Sequence, residues 1–445
     1  MIASSDMARL WTSLSAALVL TGAASEALAQ NIDDGLHSVT EIRPGTPLQP
    51  EISDAYIRVK KLDGGDTPAS VAAFDGTSGG KVHLRANYIL VEEGAILSVS
   101  NAGWQGVSGA AGTGPGAGGF LAGDNPGGGA GAVGPGGAGS PTPACDGTGG
   151  AAGPAHITDL TTLSITNLLM GSSGGASTAE VTGNGGDGGG ILILEASLVE
   201  INGTVEARGG DSASDLRPGG GGAGGMIMIK ALTLMLGDSA LISVAGGAGK
   251  ESAPLLIAGG GGAGGVIVLQ IQEPPTDDPR LVVAGGVSQG CPGAGDGAPG
   301  AVVELTAPDD CFDLDEDGFA ACKPGGDEVD CNDVDPEVNG DATEQCDDLN
   351  LDDNCNQLPD YAEEDQEAIC NAGGACKAPV VDDAGVITEF ASCVPADEIE
   401  EEKPPETETV FFGGCGVGVG KPFAALTTLG LAAALLARWR RRKSA

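Results

Sequence analysis

Three aspartates at alternating positions carry the clearest chemistry in this sequence. Asp313-Leu314-Asp315-Glu316-Asp317-Gly318-Phe319 sets Asp313, Asp315 and Asp317 two residues apart. Gly318 falls where a tight turn is needed, and the Phe319 backbone carbonyl follows as a further oxygen. Hard oxygens converging in this order form the opening of a Ca²⁺ loop. It is not an EF-hand, because position twelve is Pro324 rather than Glu, and Pro324-Gly325-Gly326 forbids the helix that would follow. Residues 309–395 contain no His and no Met, the side chains that copper would want. The expected cofactor is therefore a structural Ca²⁺ ion.

The charge balance has the same origin. Among 445 residues, 62 Asp plus Glu face 21 Lys plus Arg, a formal charge of −41. A protein that binds a phosphate backbone needs a basic face, so nucleic acid is excluded as a partner. Between residues 301 and 410 there are 34 acidic residues and three Lys. Eight of the 11 Cys fall between Cys311 and Cys393. An odd count in an exported chain suggests one cysteine with a separate role. Without Cys415, ten remain, enough for five disulfides of unspecified pairing that would staple a small module with little apolar core.

The elements that must carry this module are glycine-rich. Sixty of the 78 Gly lie between residues 71 and 300 and separate short β-like runs. Gly-Gly precedes Lys81–Ala86, Ile191–Ala196, Met226–Ala231 and Val266–Leu269, and Gly300 precedes Ala301–Leu305. The anchors at 189, 224, 264 and 300 are 35, 40 and 36 residues apart, and the earlier gap of 110 is close to three such periods. A near-fixed period of this size marks units that bury their apolar side on one another. Strand triplets followed by a glycine loop fit a right-handed parallel β-helix-like coil, with Ile, Val and Leu stacked inside and the glycine runs protruding as loops. Disordered low-complexity chain and an antiparallel sandwich are the competing readings. Matched Ile-Leu-Ile-Leu and Met-Ile-Met-Ile runs favour the coil.

Little here points to catalysis. Gly171-Ser172-Ser173-Gly174-Gly175 fits the Gly-x-Ser-x-Gly elbow but lacks a following helix. Charged residues in the repeated strands are sparse, and three His leave little for His-based chemistry. A polysaccharide lyase or hydrolase would need convergent Lys/Arg or paired carboxylates in a cleft. A carbohydrate-active β-helix enzyme is thus the alternative to a non-enzymatic structural or adhesion-type protein.

The two ends address the chain. Arg9, the apolar run Leu10–Leu20 and Ala27-Leu28-Ala29 read as a secretory signal cleaved after Ala29. At the other end, Gly413-Gly414-Cys415, a short apolar stretch from Phe423 to Ala437 and the Arg438–Lys443 basic cluster resemble the MYXO-CTERM sorting tail. That resemblance implies cleavage near Cys415, a lipid on that cysteine, and display on the outer membrane of a Gram-negative cell. The order Asp-x-Asp-x-Asp-Gly-Phe, Asp330-Cys331-Asn332-Asp333-Val334-Asp335-Pro336, Cys346-Asp347 and Asp353-Asn354-Cys355 resembles the MopE-type metal-binding repeat. It implies further ligands at Asp330, Asp333 and Asp335, and at Asp348, Asn350 and Asp352.

The expected organisation is all-β. It comprises a signal peptide (1–29), an N-terminal lead-in (30–74), glycine-rich β-solenoid repeats (75–308) and an acidic, Cys-rich Ca²⁺ module (309–395). An acidic linker (396–412) and the sorting tail (413–445) complete it. Expected partners are the envelope surface, through the tail, and a polysaccharide or protein surface ligand.

Overall fold

The computed structural model describes residues 39–61, 68–70, 79–122, 125–141, 146, 148–177, 184–212, 218–252, 257–275, 277–290, 295–306 and scattered positions from 313 to 395. Ala29 and Cys415 lie outside the described residues. The strands in chain order are β1 (Val39–Ile42), β2 (Glu51–Ser53), β3 (Tyr56–Val59), β4 (Ala69–Ser70), β5 (Lys81–Val91) and β6 (Ile96–Ser98). Then come β7 (Ile191–Ile201), β8 (Thr204–Glu206), β9 (Met226–Leu236), β10 (Leu241–Ser243), β11 (Glu251–Ser252) and β12 (Ile257–Ala258). The repeats end with β13 (Val266–Gln270), β14 (Leu281–Val282) and β15 (Ala301–Glu304). The acidic segment adds β16 (Gly374–Lys377), β17 (Val380–Val381), β18 (Ile387–Glu389) and β19 (Ser392–Pro395). Among the described residues there is no helix, and none is long and apolar enough to cross a membrane.

Two parallel sheets organise the repeats. The large one runs β1-β3-β5-β7-β9-β13-β15 with β2 beside β5, and the small one runs β14-β10-β8-β6-β4. Each repeat adds a long strand to the first sheet and a short strand to the second, in the same spatial order. The register stacks like on like: Val82, Leu192, Ile227, Ile267 and Val302 form one inner row, and Leu84, Leu194, Ile229 and Leu269 the next. The inner alternation shifts phase once, from Ala86 to Ile89 and from Ala196 to Val199, which places a corner within β5 and β7. These rows meet Leu97, Val205 and Ile242 of the small sheet in one core. Burying each such side chain is worth about 1.5–3 kcal/mol.

The opposite face of the large sheet is also covered. Ile191, Ile193, Met226, Met228, Val266 and Val268 pack on Ala130, Ala132, Ile157, Leu163, Ala223 and Ala263. Strands buried on both faces read as unbroken apolar runs, which is why Ile191–Leu194 and Met226–Ile229 show no alternation.

The covering layer is made of glycine. Backbone N–H groups of Gly127, Gly128 and Gly129 donate to Pro218, Gly119 and Gly137, and three residues later Ala130, Gly131 and Ala132 donate to Gly221, Gly116 and Gly134. Each segment thus returns to the same neighbour every third residue. Gly220 to Gly225 repeat the pattern toward Gly175 and Ser172, Gly260 and Ala263, and Gly210 and Ala207. A three-residue hydrogen-bond period is that of polyproline II backbone, here with its polar groups satisfied by neighbouring segments instead of water. The expectation of protruding glycine loops is replaced by a buried array. Glycine is required by approach: a Cβ on Gly220 would stand 1.9 Å from the Gly128 carbonyl oxygen.

The 110-residue gap from 79 to 189, close to three periods long, places no further strand between β5 and β7 in the large sheet. Lys81 to Val91 of β5 pair directly with Ile191 to Ile201 of β7. After β6, the described residues before β7 contribute glycine segments to the array and an apolar stretch, including Ile157 and Leu163, that covers the sheet.

One charged cluster interrupts the apolar outer face. Glu195, buried on β7, receives Lys230 Nζ at 2.6 Å and lies 2.9 Å from His83 Nε2 and 3.5 Å from Arg85 Nε. Burial pushes its carboxyl up, but hydrogen bonds and charge from His83 and Lys230 outweigh this and hold it at about 2. A carboxylate depressed in the folded state stabilises the fold above its unfolded value of 4.5. That contribution is lost as pH falls from 4.5 through about 2. Urea unfolding at pH 6 and pH 3 is expected to show a smaller pH-dependent loss in Glu195→Gln than in wild type. An equal loss in both would discard the cluster as the origin of acid sensitivity.

Candidate metal centre

Asp313, Asp315 and Asp317 are brought together as the spacing predicts, with ligand oxygens all within 4.8 Å of one another. Short-range hydrogen bonds curl the loop. Asp315 Oδ1 accepts the Asp317 N–H at 3.2 Å, and Asp317 Oδ1 accepts the Phe319 N–H at 2.7 Å. Asn339 Nδ2 donates to Asp317 Oδ2 at 2.7 Å and ties the loop to a segment 22 residues away.

Asp330 stands outside that 4.8 Å group but feels the charge of all three of its members. It is 1 % exposed, and its Oδ1 accepts the Asn332 N–H at 2.8 Å. Its Oδ2 is buried with no hydrogen-bond partner, as are Asp315 Oδ2 and Asn332 Oδ1. Burial pushes the Asp330 carboxyl up to about 7, and the charges of Asp315, Asp317 and Asp313 push in the same direction. Burial, then repulsion from Asp317 and Asp313, also raises Asp315. Buried oxygens without donors are costly, and a hard cation held by the converging carboxylates of Asp313, Asp315 and Asp317 would relieve both that cost and their mutual repulsion.

The remaining expected ligands divide. Asp352 is buried at 1 % exposure, and its backbone oxygen lies 3.3 Å from the Sγ of Cys331, which is bonded to Cys355. Asp335 is exposed, and its Oδ1 accepts the Glu337 N–H at 3.2 Å, so it caps a turn. Phe319 follows the loop with its N–H engaged by Asp317. Asp333, Asp348 and Asn350 lie outside the described residues. Sequence reasoning missed Asn339 as a support of Asp317, since nothing in its spacing marks it.

Disulfides are seen at Cys331–Cys355, Cys346–Cys376 and Cys370–Cys393. Sulfurs of Cys346, Cys370 and Cys393 gather within 4.8 Å, but each is already bonded to another sulfur and offers no thiolate. The other four expected disulfide cysteines, Cys145, Cys291, Cys311 and Cys322, lie outside the described residues. The Ser173 hydroxyl of the Gly-x-Ser-x-Gly sequence is buried in the glycine array, where it accepts the Thr113 N–H at 2.7 Å.

Comparison with family models, with curated proteins and with solved structures returns no match.

Proposed function

We propose that this chain is an exported, surface-displayed structural or adhesion-type protein without enzymatic activity, in which a β-scaffold carries a Ca²⁺-stabilised acidic module. The observation that carries the reading is the orphaned, buried Oδ2 of Asp330 beside three converging aspartates. Asp313, Asp315, Asp317 and Asp330 would hold the ion, with the Phe319 carbonyl and Asn332 in support. Bound Ca²⁺ would supply charge neutralisation and help to fix a segment rich in Asp and Glu.

The scaffold is read as a right-handed parallel β-helix, the hand that parallel crossovers adopt. The signal sequence before Ala29 and the tail around Cys415 support export and lipid anchoring at an outer membrane. A polysaccharide or another surface protein is the partner class that suits such a display.

The deciding experiment is calorimetric titration of the full oxidised chain with Ca²⁺, repeated with Mg²⁺ and Cu²⁺ and read with thermal unfolding. Saturable Ca²⁺ binding is expected, with stabilisation of about 2.7 kcal/mol at 100 times Kd. Heats of dilution alone, with no change in melting temperature, would refute the metal centre.

A further inference from the structure

We infer that Arg85, a residue of the large sheet, is a positioning residue for the cation loop, holding the Leu314 carbonyl between the ligands Asp313 and Asp315. The inference rests on the reading of these aspartates as a cation site.

The Arg85 guanidinium donates to the Leu314 backbone oxygen across 229 residues of sequence. Leu314 is itself anchored, at 7 % exposure. Arg85 is oriented in turn by Glu195, with Nε 3.5 Å from Oε2. Glu195 is pinned in turn by His83 at the same oxygen and by Lys230 at the other. The loop is thus seated on a rigid strand through the peptide unit that separates two ligands.

That seat has a definite physical role. Carboxylates on residues 313, 315 and 317 repel one another when no cation lies between them, and a free loop would open. Fixing the intervening carbonyl keeps alternate side chains converging, so less ordering remains to be done when the ion enters. A guanidinium near the site also acts in the opposite sense, since its positive charge disfavours a cation. The two effects differ in sign when Arg85 is removed. Loss of positioning weakens Ca²⁺ binding, whereas loss of repulsion strengthens it.

The test is Ca²⁺ titration of the full chain as wild type, Arg85→Met and Arg85→Lys, with thermal unfolding of each in chelator. The Met variant is expected to bind Ca²⁺ about 10-fold more weakly. Lys, a donor on a stem nearly as long as that of Arg, should recover affinity to within about 3-fold of wild type. Melting temperatures in chelator should stay close to wild type, which a general structural role for Arg85 would not allow. Leu314→Ala leaves Arg85 and every carboxylate in place and should weaken binding similarly; it serves if Arg85→Met does not fold. Unchanged or tighter Ca²⁺ binding by Arg85→Met, with wild type binding normally, overturns the positioning role alone. Absence of saturable binding in wild type overturns the cation site beneath it.

Discussion

Asp330→Asn is expected to weaken Ca²⁺ binding by about 100-fold, or ~2.7 kcal/mol. The same change should leave the metal-free protein at least as stable as wild type. Both effects follow from one carboxylate. Asp330 is buried, one of its oxygens lacks a partner, and the charges of Asp315, Asp317 and Asp313 bear on it. With a cation present, that negative charge is an attractive ligand. Without one, it is a buried charge among like charges, and Asn removes the repulsion at nearly constant volume while an oxygen remains to accept the Asn332 N–H. Calorimetric titration gives the first quantity and thermal unfolding in chelator the second. Equal Ca²⁺ affinities for variant and wild type would remove Asp330 from the site.

The sign of the pH dependence follows. The Asp330 carboxyl is raised in the folded state from 3.8 to about 7, so between these values the metal-free fold binds more protons than the unfolded chain. Its stability contribution is fully present below 3.8 and is lost as pH rises through about 7. Glu195 has the opposite sign and acts at lower pH, between about 2 and 4.5. In chelator the wild-type protein should therefore weaken as pH rises toward neutrality, and Asp330→Asn should flatten that decline. Added Ca²⁺ should reverse the slope, because the ion displaces the proton.

What could be read from the chain depended on where each signal lies. The inner rows were visible because Val82, Leu192 and Ile227 sit in recurring apolar runs, and the 35-residue spacing placed β7 and β9 side by side. The near-multiple of the period between β5 and β7 carried no such information, because a period cannot show that a long insertion leaves the ladder and returns to it. The glycine array was hidden for a different reason. Its order lies in backbone hydrogen bonds repeated every third residue, and side-chain patterning is silent where there are no side chains. Ala130, Ala132, Ala223 and Ala263 mark positions that face the apolar sheet. At the candidate site, Asp313, Asp315 and Asp317 were legible because alternation puts them on one side of a loop. Asn339 and Arg85 reach that loop from 22 and 229 residues away, distances over which spacing carries no information.

The array makes the severest prediction. Gly220→Ala is expected to cost about 4 kcal/mol or more, or to prevent folding, although it adds one methyl group. A Cβ there would stand 1.9 Å from the Gly128 oxygen and 2.2 Å from its carbon. Gly128 cannot retreat easily, since its own position allows no Cβ either, with the Ala151 oxygen at 1.9 Å. Any Cβ contact below 3.0 Å forces a shift, so the Gly128 segment would have to move by more than an ångström. That segment is bonded to three neighbours in turn, and the displacement would pass to each of them. Three residues along the same segment, Ala223 already carries a methyl group, and that methyl packs on the sheet. Ala223→Gly should therefore cost only about 1–2 kcal/mol, one buried methyl plus added backbone freedom. Guanidinium unfolding of the two variants separates the readings. A large loss for Gly220→Ala beside a small one for Ala223→Gly is the signature of backbone contact at van der Waals limits. Equal small losses would mean that the glycine segments lie further apart than the hydrogen bonds imply, and that the outer face of the large sheet is held by Ile157, Leu163 and their neighbours alone.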